Sequence, residues 1–278
     1  MMSERPVDGR HDLAPADTPL NLACLTSPAR PIVQAAAGIY LRHLAPWFIG
    51  LIAHGSAVKG GVIAGCSDLD LQLYLDDGAF TAPGELPLSL GLAIHAELAQ
   101  IDPVPFSAIQ CFAFPPRLRP GYVGPIPGAY AVVAGHLPVP EASDDELREA
   151  AARALAAPEL VVPYVAATLL CHGGWELKRR VRHVCTDVWP ALYHVLTLQQ
   201  QDGVRVWGLP KEAAIALLPP NSALGDRIGR FYEALHTYYP AAASPAHALA
   251  AIEHGIAFLH TAQAWWQEKG QGGADDRR

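Results

Sequence analysis

The sequence predicts an α+β protein with a strand-rich first half and a helical second half. Between about residues 27 and 140, short runs of β-branched and aromatic residues are separated by Gly and Pro, which is typical of strands joined by turns. From about residue 143 to residue 267, apolar residues recur at helical spacing over long segments with few turn signals. These two patterns predict a β-sheet domain followed by a bundle of helices.

The first half is expected to begin with a helix that leads into two strands. Ser27 and Pro28 form a helix start, and apolar residues then recur on one helical face from Ile32 to Leu44. A buried strand is predicted within residues 46–56. In the second strand, residues 68–77, four leucines alternate with polar or aromatic residues, so Asp68 and Asp70 are expected to share the other face.

A helix and two further strands complete the predicted sheet. The helix is expected at about residues 89–100, and the strands at residues 106–114 and, after a loop rich in Pro and Gly, at residues 129–137. Ser143 and Glu146 have the spacing of a capping box, which marks the start of the helical half.

The chain is expected to contain two domains between flexible ends. Its 278 residues lie at the boundary between one and two domains of ordinary size. We predict a sheet domain over residues 27–140 and a helical domain over residues 141–268. The polar segments 1–26 and 269–278 are expected to be flexible tails.

Composition and charge restrict the class of protein. Hydrophobic residues make up 51% of the chain and charged residues 17%, which predicts a sizeable buried core rather than a disordered chain. The 20 basic and 27 acidic side chains give a net charge of −7, which disfavours binding of long nucleic acids because such binding neutralises many phosphates. An acidic surface would instead attract a small cationic ligand.

The cysteines and the apolar segments indicate a cytoplasmic protein without membrane contact. The five cysteines are far apart and form no CxxC pair, so reduced thiols are expected rather than disulfides or a zinc site. The polar N-terminus is unlike a secretory signal. The longest uncharged apolar stretch, from Leu160 to Cys171, is too short to span a bilayer. The oligomeric state is left open.

The chemically informative segment runs from residue 54 to residue 71 and contains HGSAVKGG followed by SDLDL. Asp68 and Asp70, at i and i+2 on a strand, project from one face and are close enough to share divalent metal ions. Gly55 and Ser56 can begin a helix whose backbone N–H groups hold phosphate oxygens. Each feature alone is also typical of a solvated strand face or an ordinary turn. Together and in this order, they predict a site for a Mg²⁺-bound nucleotide, suited to phosphoryl or nucleotidyl transfer.

This segment resembles the signature of the polymerase-β-type nucleotidyltransferase superfamily, in which Gly-Ser precedes Asp-x-Asp. More narrowly, GSAVKGGVIAGCSDLDL resembles the aminoglycoside adenylyltransferases that modify streptomycin and spectinomycin. Weaker resemblances to that family follow in AYAVVAGHLPVPEASDDELREAARAL and in the Leu-Pro-Lys-Glu-Ala-Ala segment at residues 209–214. The resemblance implies a nucleotidyltransferase-type mixed sheet flanked by helices, then a C-terminal helical bundle, with nucleotide and acceptor bound between them.

The resemblance also implies roles for individual residues. Gly55, Ser56 and Ser67 would bind the nucleotide, the first two at its β- and γ-phosphates. Asp68 and Asp70 would bind Mg²⁺ and carry the catalysis. Lys211 would neutralise the triphosphate from the helical side, although an ordinary exposed lysine at a helix start is the alternative.

The third acid of the family pattern is not evident. The family places a further carboxylate on the next strand, as metal ligand or as base for the acceptor hydroxyl. The matching position here is Phe106 or Ser107, neither of which is acidic. Asp102 could substitute for it only if this strand begins earlier than expected. Binding of Mg²⁺ and nucleotide is therefore more firmly predicted than catalysis.

Residues 178–183, KRRVRH, form a basic cluster in this acidic chain. Lys178 and its neighbours either reach the triphosphate from the helical half or form a solvated helix face that pairs with Glu176 and Asp187. An RNA or lipid headgroup is a further candidate partner for the cluster. The histidines at 247, 254 and 260 are expected on polar helix faces rather than around a metal ion.

We therefore expect a Mg²⁺-dependent nucleotidyltransferase that moves AMP from ATP to a hydroxyl group of a small, cationic, aminoglycoside-like acceptor, as in antibiotic resistance. The alternative is a catalytically impaired relative that binds nucleotide without transfer. In both cases the expected partners are a nucleoside triphosphate and a small molecule, and neither a membrane nor a nucleic acid.

Overall fold

The computed structural model of the protein describes residues 18–82, 84–156, 161–171, 173, 175–219, 221–239 and 244–275. Over these residues, a four-stranded mixed sheet with flanking helices is followed by a helical half. This architecture agrees with the predicted α+β class.

The sheet has the strand order β3-β2-β1-β4, in which β2 and β3 are parallel and the other two pairs are antiparallel. The alternation predicted for the second strand is present. Its four leucines lie in one buried core, whereas Asp70 and Gln72 are half-buried on the opposite face. The strands are β1 (Phe48–His54), β2 (Leu69–Leu75), β3 (Ile109–Phe114) and β4 (Tyr130–Gly135).

Helices cover the leucine face of the sheet. α1 (Ala29–Leu44) begins directly after Pro28, and its apolar side packs with the strand leucines in one core, as the helical spacing predicts. α2 (Ser56–Lys59) is a single turn between β1 and β2, and α3 (Leu88–Leu98) contacts α1.

The segment before α1 packs against the sheet where the structure describes it. The backbone N–H of Asn21 donates to the carbonyl of Val133 at 2.8 Å, and Leu25 is buried. Residues 18–26 therefore belong to the sheet half, while residues 1–17 of the predicted tail lie outside the described residues.

The third strand begins later than the sequence predicts. Phe106, its expected first residue, lies in the core beneath the sheet, and regular pairing starts only at Ile109. The N–H of Ser107 nevertheless donates to the carbonyl of Ser67 at 2.8 Å. The loop before β3 consequently runs beside the segment that carries Asp68, which brings Ser107 next to it.

The second half consists of helices around a separate core, to which α6 contributes many of the buried side chains. The predicted capping box is present at its start: the Glu146 carboxylate accepts from the N–H of Ser143 at 2.8 Å, and the Ser143 hydroxyl accepts from the N–H of Glu146 at 3.3 Å. The helices are α4 (Asp144–Ala156), α5 (Val161–Thr168), α6 (Glu176–Gln200), α7 (Gly203–Trp207), α8 (Lys211–Ile215), α9 (Ala223–Tyr238) and α10 (Pro245–Asp275).

The last helix extends beyond the boundary that composition suggested. α10 continues to Asp275, into the segment predicted as the C-terminal tail, and residues 276–278 lie outside the described part of the chain. Within the residues that the structure describes, no helix combines the length and the apolar character needed to cross a bilayer.

Candidate functional site

Asp68 and Asp70 lie at the start of β2, on the face of the sheet opposite the leucine core. Asp68 is the last residue of the preceding loop, and Asp70 pairs in register with His54 at the end of β1. Both side chains are half-buried. The i, i+2 spacing therefore places two acids side by side, as the sequence predicts.

The Gly-Ser turn adjoins this pair of acids. Gly55 adopts a φ of +68°, and a Cβ atom added to it would lie 3.2 Å from Oδ2 of Asp70. A residue with a side chain would therefore be strained and would crowd the carboxylate. α2 begins at Ser56 as predicted, and the buried Ser56 hydroxyl faces the backbone carbonyl of Asp68 at 3.5 Å.

Arg182 of α6 reaches across to Asp68 from the helical half. Its Nη2 atom lies 2.5 Å from Oδ2 of Asp68, and its Nη1 donates to the hydroxyl of Ser107. The Ser107 hydroxyl donates in turn to Oδ1 of Asp68 at 2.6 Å. Asp68, Ser107 and Arg182 thus form a closed triangle in which both oxygens of Asp68 are used.

Ser107 stands where the third acid of the family pattern would be sought. Phe106 is buried in the core, and Asp102 lies in an exposed loop where its carboxylate accepts from the N–H of Val104 at 3.0 Å. Because β3 starts late rather than early, the condition under which Asp102 could replace that acid is not met.

Lys211, at the start of α8, reaches the loop that follows α2. Its Nζ donates to the carbonyl of Gly61 at 3.2 Å and lies 5.4 Å from the centre of the Trp189 ring. Gly61 has a φ of +69°, and an added Cβ would lie 3.2 Å from the N atom of Lys211. Gly60 is different, because an added Cβ would meet no atom within 4 Å. Gly61 therefore allows α8 to pack closely against this loop, whereas Gly60 borders open space.

Lys59, at the end of α2, forms a second contact with the helical half. Its Nζ donates to the carbonyl of Trp207 at 2.7 Å and lies 4.0 Å from the centre of the Tyr193 ring. Burial and the nearby Lys211 lower the pKa of Lys59 to about 7. Lys211 and Arg182 are the cations that act on Asp70, whereas the Lys59 ammonium lies against Tyr193 and Trp207.

Two predicted nucleotide-binding residues have other surroundings. Ser67 is buried, and its hydroxyl accepts from the N–H of Ile63 at 3.0 Å. This hydrogen bond stabilises the loop between α2 and β2 in which both residues lie. Lys178 is exposed near the start of α6. In the same cluster, Arg180 pairs with Glu176 at 2.7 Å, which is the i,i+4 pairing expected of a helix face. Arg182 is the member of the cluster that contacts an aspartate of the site.

The two acids differ in their electrostatic surroundings. Burial and the charge of Asp68 raise the pKa of Asp70 to about 6, although Lys211 and Arg182 act in the opposite direction. The Asp70 carboxylate makes no hydrogen bond or ion pair with another described residue, whereas the Asp68 carboxylate makes both kinds of contact. Asp70 is thus the carboxylate that remains available to a ligand.

Asp68 and Asp70 offer the type of ligand that a divalent cation prefers, but two carboxylates are too few to hold one alone. Carboxylate oxygens are ligands that Mg²⁺ prefers. Within the described residues, no group of three or more His, Cys, Asp or Glu side chains is placed to hold a metal ion. Two aspartates and a triphosphate would together supply enough oxygen ligands, provided that Arg182 gives up its contact with Asp68.

Two buried cysteines also meet where the two halves of the chain touch. Cys66 lies two residues before Asp68, and Cys185 lies one helical turn after Arg182 on α6. Their Sγ atoms are 3.8 Å apart. The described thiols are free in this structure, and the reduced state remains a prediction.

Comparison with models of protein families finds no match to the chain. A search of curated protein sequences finds no match either.

Proposed function

We propose that the protein is a nucleotidyltransferase-type enzyme that binds ATP between its sheet and its helical half. The observation that carries this proposal is the convergence of Asp68 and Asp70 with Lys211 and Arg182, which come from distant parts of the sequence. Two acids and two cations around an open glycine segment at Gly60 provide for both a metal ion and phosphate groups.

The proposed reaction is the transfer of AMP to a hydroxyl group of a small acceptor. Mg²⁺ would be held by Asp68 and Asp70 and, when bound, would neutralise charge on the triphosphate. Lys211 and Arg182 are placed to bind phosphate oxygens from the helical side. Because they approach from the other half of the protein, they can orient the triphosphate against the aspartates.

The test is ATP binding and transfer in the same preparation. We expect Mg²⁺–ATP to raise the Tm of the protein and α-labelled ATP to label an acceptor in a panel of hydroxyl compounds that includes aminocyclitols. Asp70→Asn should abolish labelling, whereas Glu253→Gln, which removes an exposed acid of α10, should not. Absence of both ATP binding and labelling would refute the proposal.

A second candidate is a protein that binds nucleotide without transferring it. The bond between Ser107 and Asp68 favours this candidate, because a hydroxyl group lies beside Asp68 where a third acid is expected from the family pattern. It predicts that Mg²⁺–ATP raises the Tm while no acceptor is ever labelled. Restoring an acid with Ser107→Glu should then produce measurable transfer if the missing carboxylate is the cause.

A further inference from the structure

A cavity of about 330 Å³ lies beside Asp70, on the same face of the sheet. His54 and Gly55 form its boundary nearest the aspartates, since His54 pairs with Asp70 and Gly55 adjoins Oδ2 of Asp70. Trp207 of the helical half closes another side. The volume is near the lower end of the range of roughly 300–1,000 Å³ found for small-molecule sites. It suits a ligand of one or two rings.

The walls of this cavity are rich in aromatic side chains. Tyr74 and Phe114 lie next to each other with ring centres 6.2 Å apart, and Tyr130, Tyr122 and Trp207 contribute further rings. Gln72 lies among them, and its side-chain oxygen accepts from the Tyr74 hydroxyl at 3.0 Å. Flat aromatic walls favour a flat aromatic ligand, because rings stack or pack edge to face.

The charged side chains that line the cavity are all basic. They are Lys59, Arg117 and Arg119, and the described lining residues include neither Asp nor Glu. Arg117 is neutralised by Asp77 at 2.7 Å. Arg119 lies 5.9 Å from the centre of the Phe114 ring and makes no ion pair with another described residue. Arg119 is therefore the lining residue whose charge no ion pair neutralises, whereas the nearby acids lie outside the lining: Glu141 accepts from the Tyr130 hydroxyl, and Asp70 lies beyond Gly55.

We propose that this cavity binds the acceptor and that the acceptor is a flat aromatic hydroxy compound with an anionic group. This inference rests on the proposed function, because the ligand of the cavity is an acceptor only if the protein transfers a nucleotide. It departs from the sequence-based expectation of a cationic acceptor, which depends on the net charge of the whole chain. The charge that lines the cavity decides which ligand binds there. Salt screens the long-range attraction of the whole chain over about 10 Å, whereas it screens contacts inside the cavity much less.

The test uses three probes that share one ring and one hydroxyl group. They are 4-hydroxybenzoate, 4-hydroxybenzamide and 4-hydroxybenzamidine, which are anionic, neutral and cationic at pH 7. Calorimetric titration is expected to show that the anion binds at least tenfold more tightly than the cation, with the amide between them. Equal affinities, preference for the cation, or no binding of any probe would overturn the proposal.

Two arginine variants test which side chain binds the carboxylate of 4-hydroxybenzoate. Arg119→Gln should weaken binding of 4-hydroxybenzoate about tenfold and leave 4-hydroxybenzamide unchanged. Arg117→Gln is the matched control and should have a smaller effect, because Asp77 already neutralises Arg117. A loss that is equal for the anion and the amide would indicate altered packing rather than charge recognition, and would contradict the proposal.

Titration of 4-hydroxybenzoate in the presence of a nucleotide analogue distinguishes failure of this inference from failure of the proposed function. With Mg²⁺ and the non-transferable analogue AMP-CPP at saturation, 4-hydroxybenzoate should still bind, because the acceptor and nucleotide occupy different places. Competition between the two would make the cavity part of the nucleotide site and overturn the acceptor assignment. Binding of 4-hydroxybenzoate without any binding of AMP-CPP or ATP would instead refute the nucleotide proposal and leave the charge preference of the cavity established.

Discussion

Arg182 connects the two halves of the protein through a single side chain. It contacts Asp68 and Ser107 in the sheet half although it belongs to α6. Side chains in this pair are 31% exposed for Arg182 and 17% exposed for Asp68, so solvent screens the contact only in part. A charged hydrogen bond in such a setting contributes more to stability than an ion pair on an open surface.

Arg182→Ala should therefore destabilise the protein measurably. We expect the free energy of unfolding to fall by about 1–3 kcal/mol, because the half-buried Asp68 loses its charged donor. Urea denaturation monitored by circular dichroism gives this quantity. Lys178→Ala, one turn earlier on the same helix and exposed, is the control and should change it by less than about 0.5 kcal/mol. Equal effects of the two variants would show that the ion pair contributes little.

Asp70 is expected to make stability depend on pH. Its pKa is raised from 3.8 to about 6 in the folded protein, so between these pH values the folded state binds more protons than the unfolded state. The free energy of unfolding should consequently fall as pH rises from about 4 to 6 through this group. The physical cause is the burial of a charge beside Asp68.

Asp70→Asn should remove this dependence. In EDTA-containing buffer, the variant should be more stable than the parent protein at pH 7, with a Tm higher by a few degrees (about 2–4 °C for each kcal/mol in a chain of this size), and the difference should vanish at pH 4. Thermal unfolding at pH 4, 5, 6 and 7 tests it. A difference that is the same at every pH would mean that Asp70 does not titrate as described.

At the scale of elements, the contact between α8 and the loop after α2 depends on one glycine. Gly61→Ala would place a Cβ 2.9 Å from Oε2 of Glu212 and 3.2 Å from Cβ of Pro210. We expect a loss of about 2–3 kcal/mol, of which about 1 kcal/mol comes from the positive φ alone. Gly60→Ala also puts a side chain on a positive φ, +81°, but an added Cβ there meets no atom within 4 Å, so this variant should cost only the part due to the backbone. The difference between the two urea midpoints isolates the interface.

The strands could be predicted well because their signal is local. β2 alternates leucine with polar residues, and each residue alone indicates which face it occupies. The start of β3 was predicted wrongly because Phe106 continues an apolar run, and the sequence does not distinguish a buried loop residue from the first residue of a strand. Capping at Ser143 was predicted correctly for the same local reason as the strands.

At the scale of the whole molecule, the site could be predicted only in part. Asp68, Asp70 and the Gly-Ser turn are close in sequence, so their spacing already predicts their proximity. The partners of Asp68 were not predictable in this way, because Ser107 and Arg182 are brought there by the packing of distant elements. A basic cluster on a helix indicates one charged face, and only the packing of α6 decides which arginine of the cluster faces the sheet.

The contact between Cys66 and Cys185 allows the transient separation of the two halves to be measured by the rate of cysteine alkylation. Both thiols are buried at the junction, whereas Cys24 and Cys171 are exposed. An alkylating reagent should modify the exposed pair quickly and the buried pair only during transient opening, so the slow rate reports how often the halves separate. Peptide mapping by mass spectrometry resolves each cysteine. If ATP bridges the halves, it should slow labelling of Cys66 and Cys185 and leave Cys24 unchanged; equal rates at all four would mean that the junction opens freely.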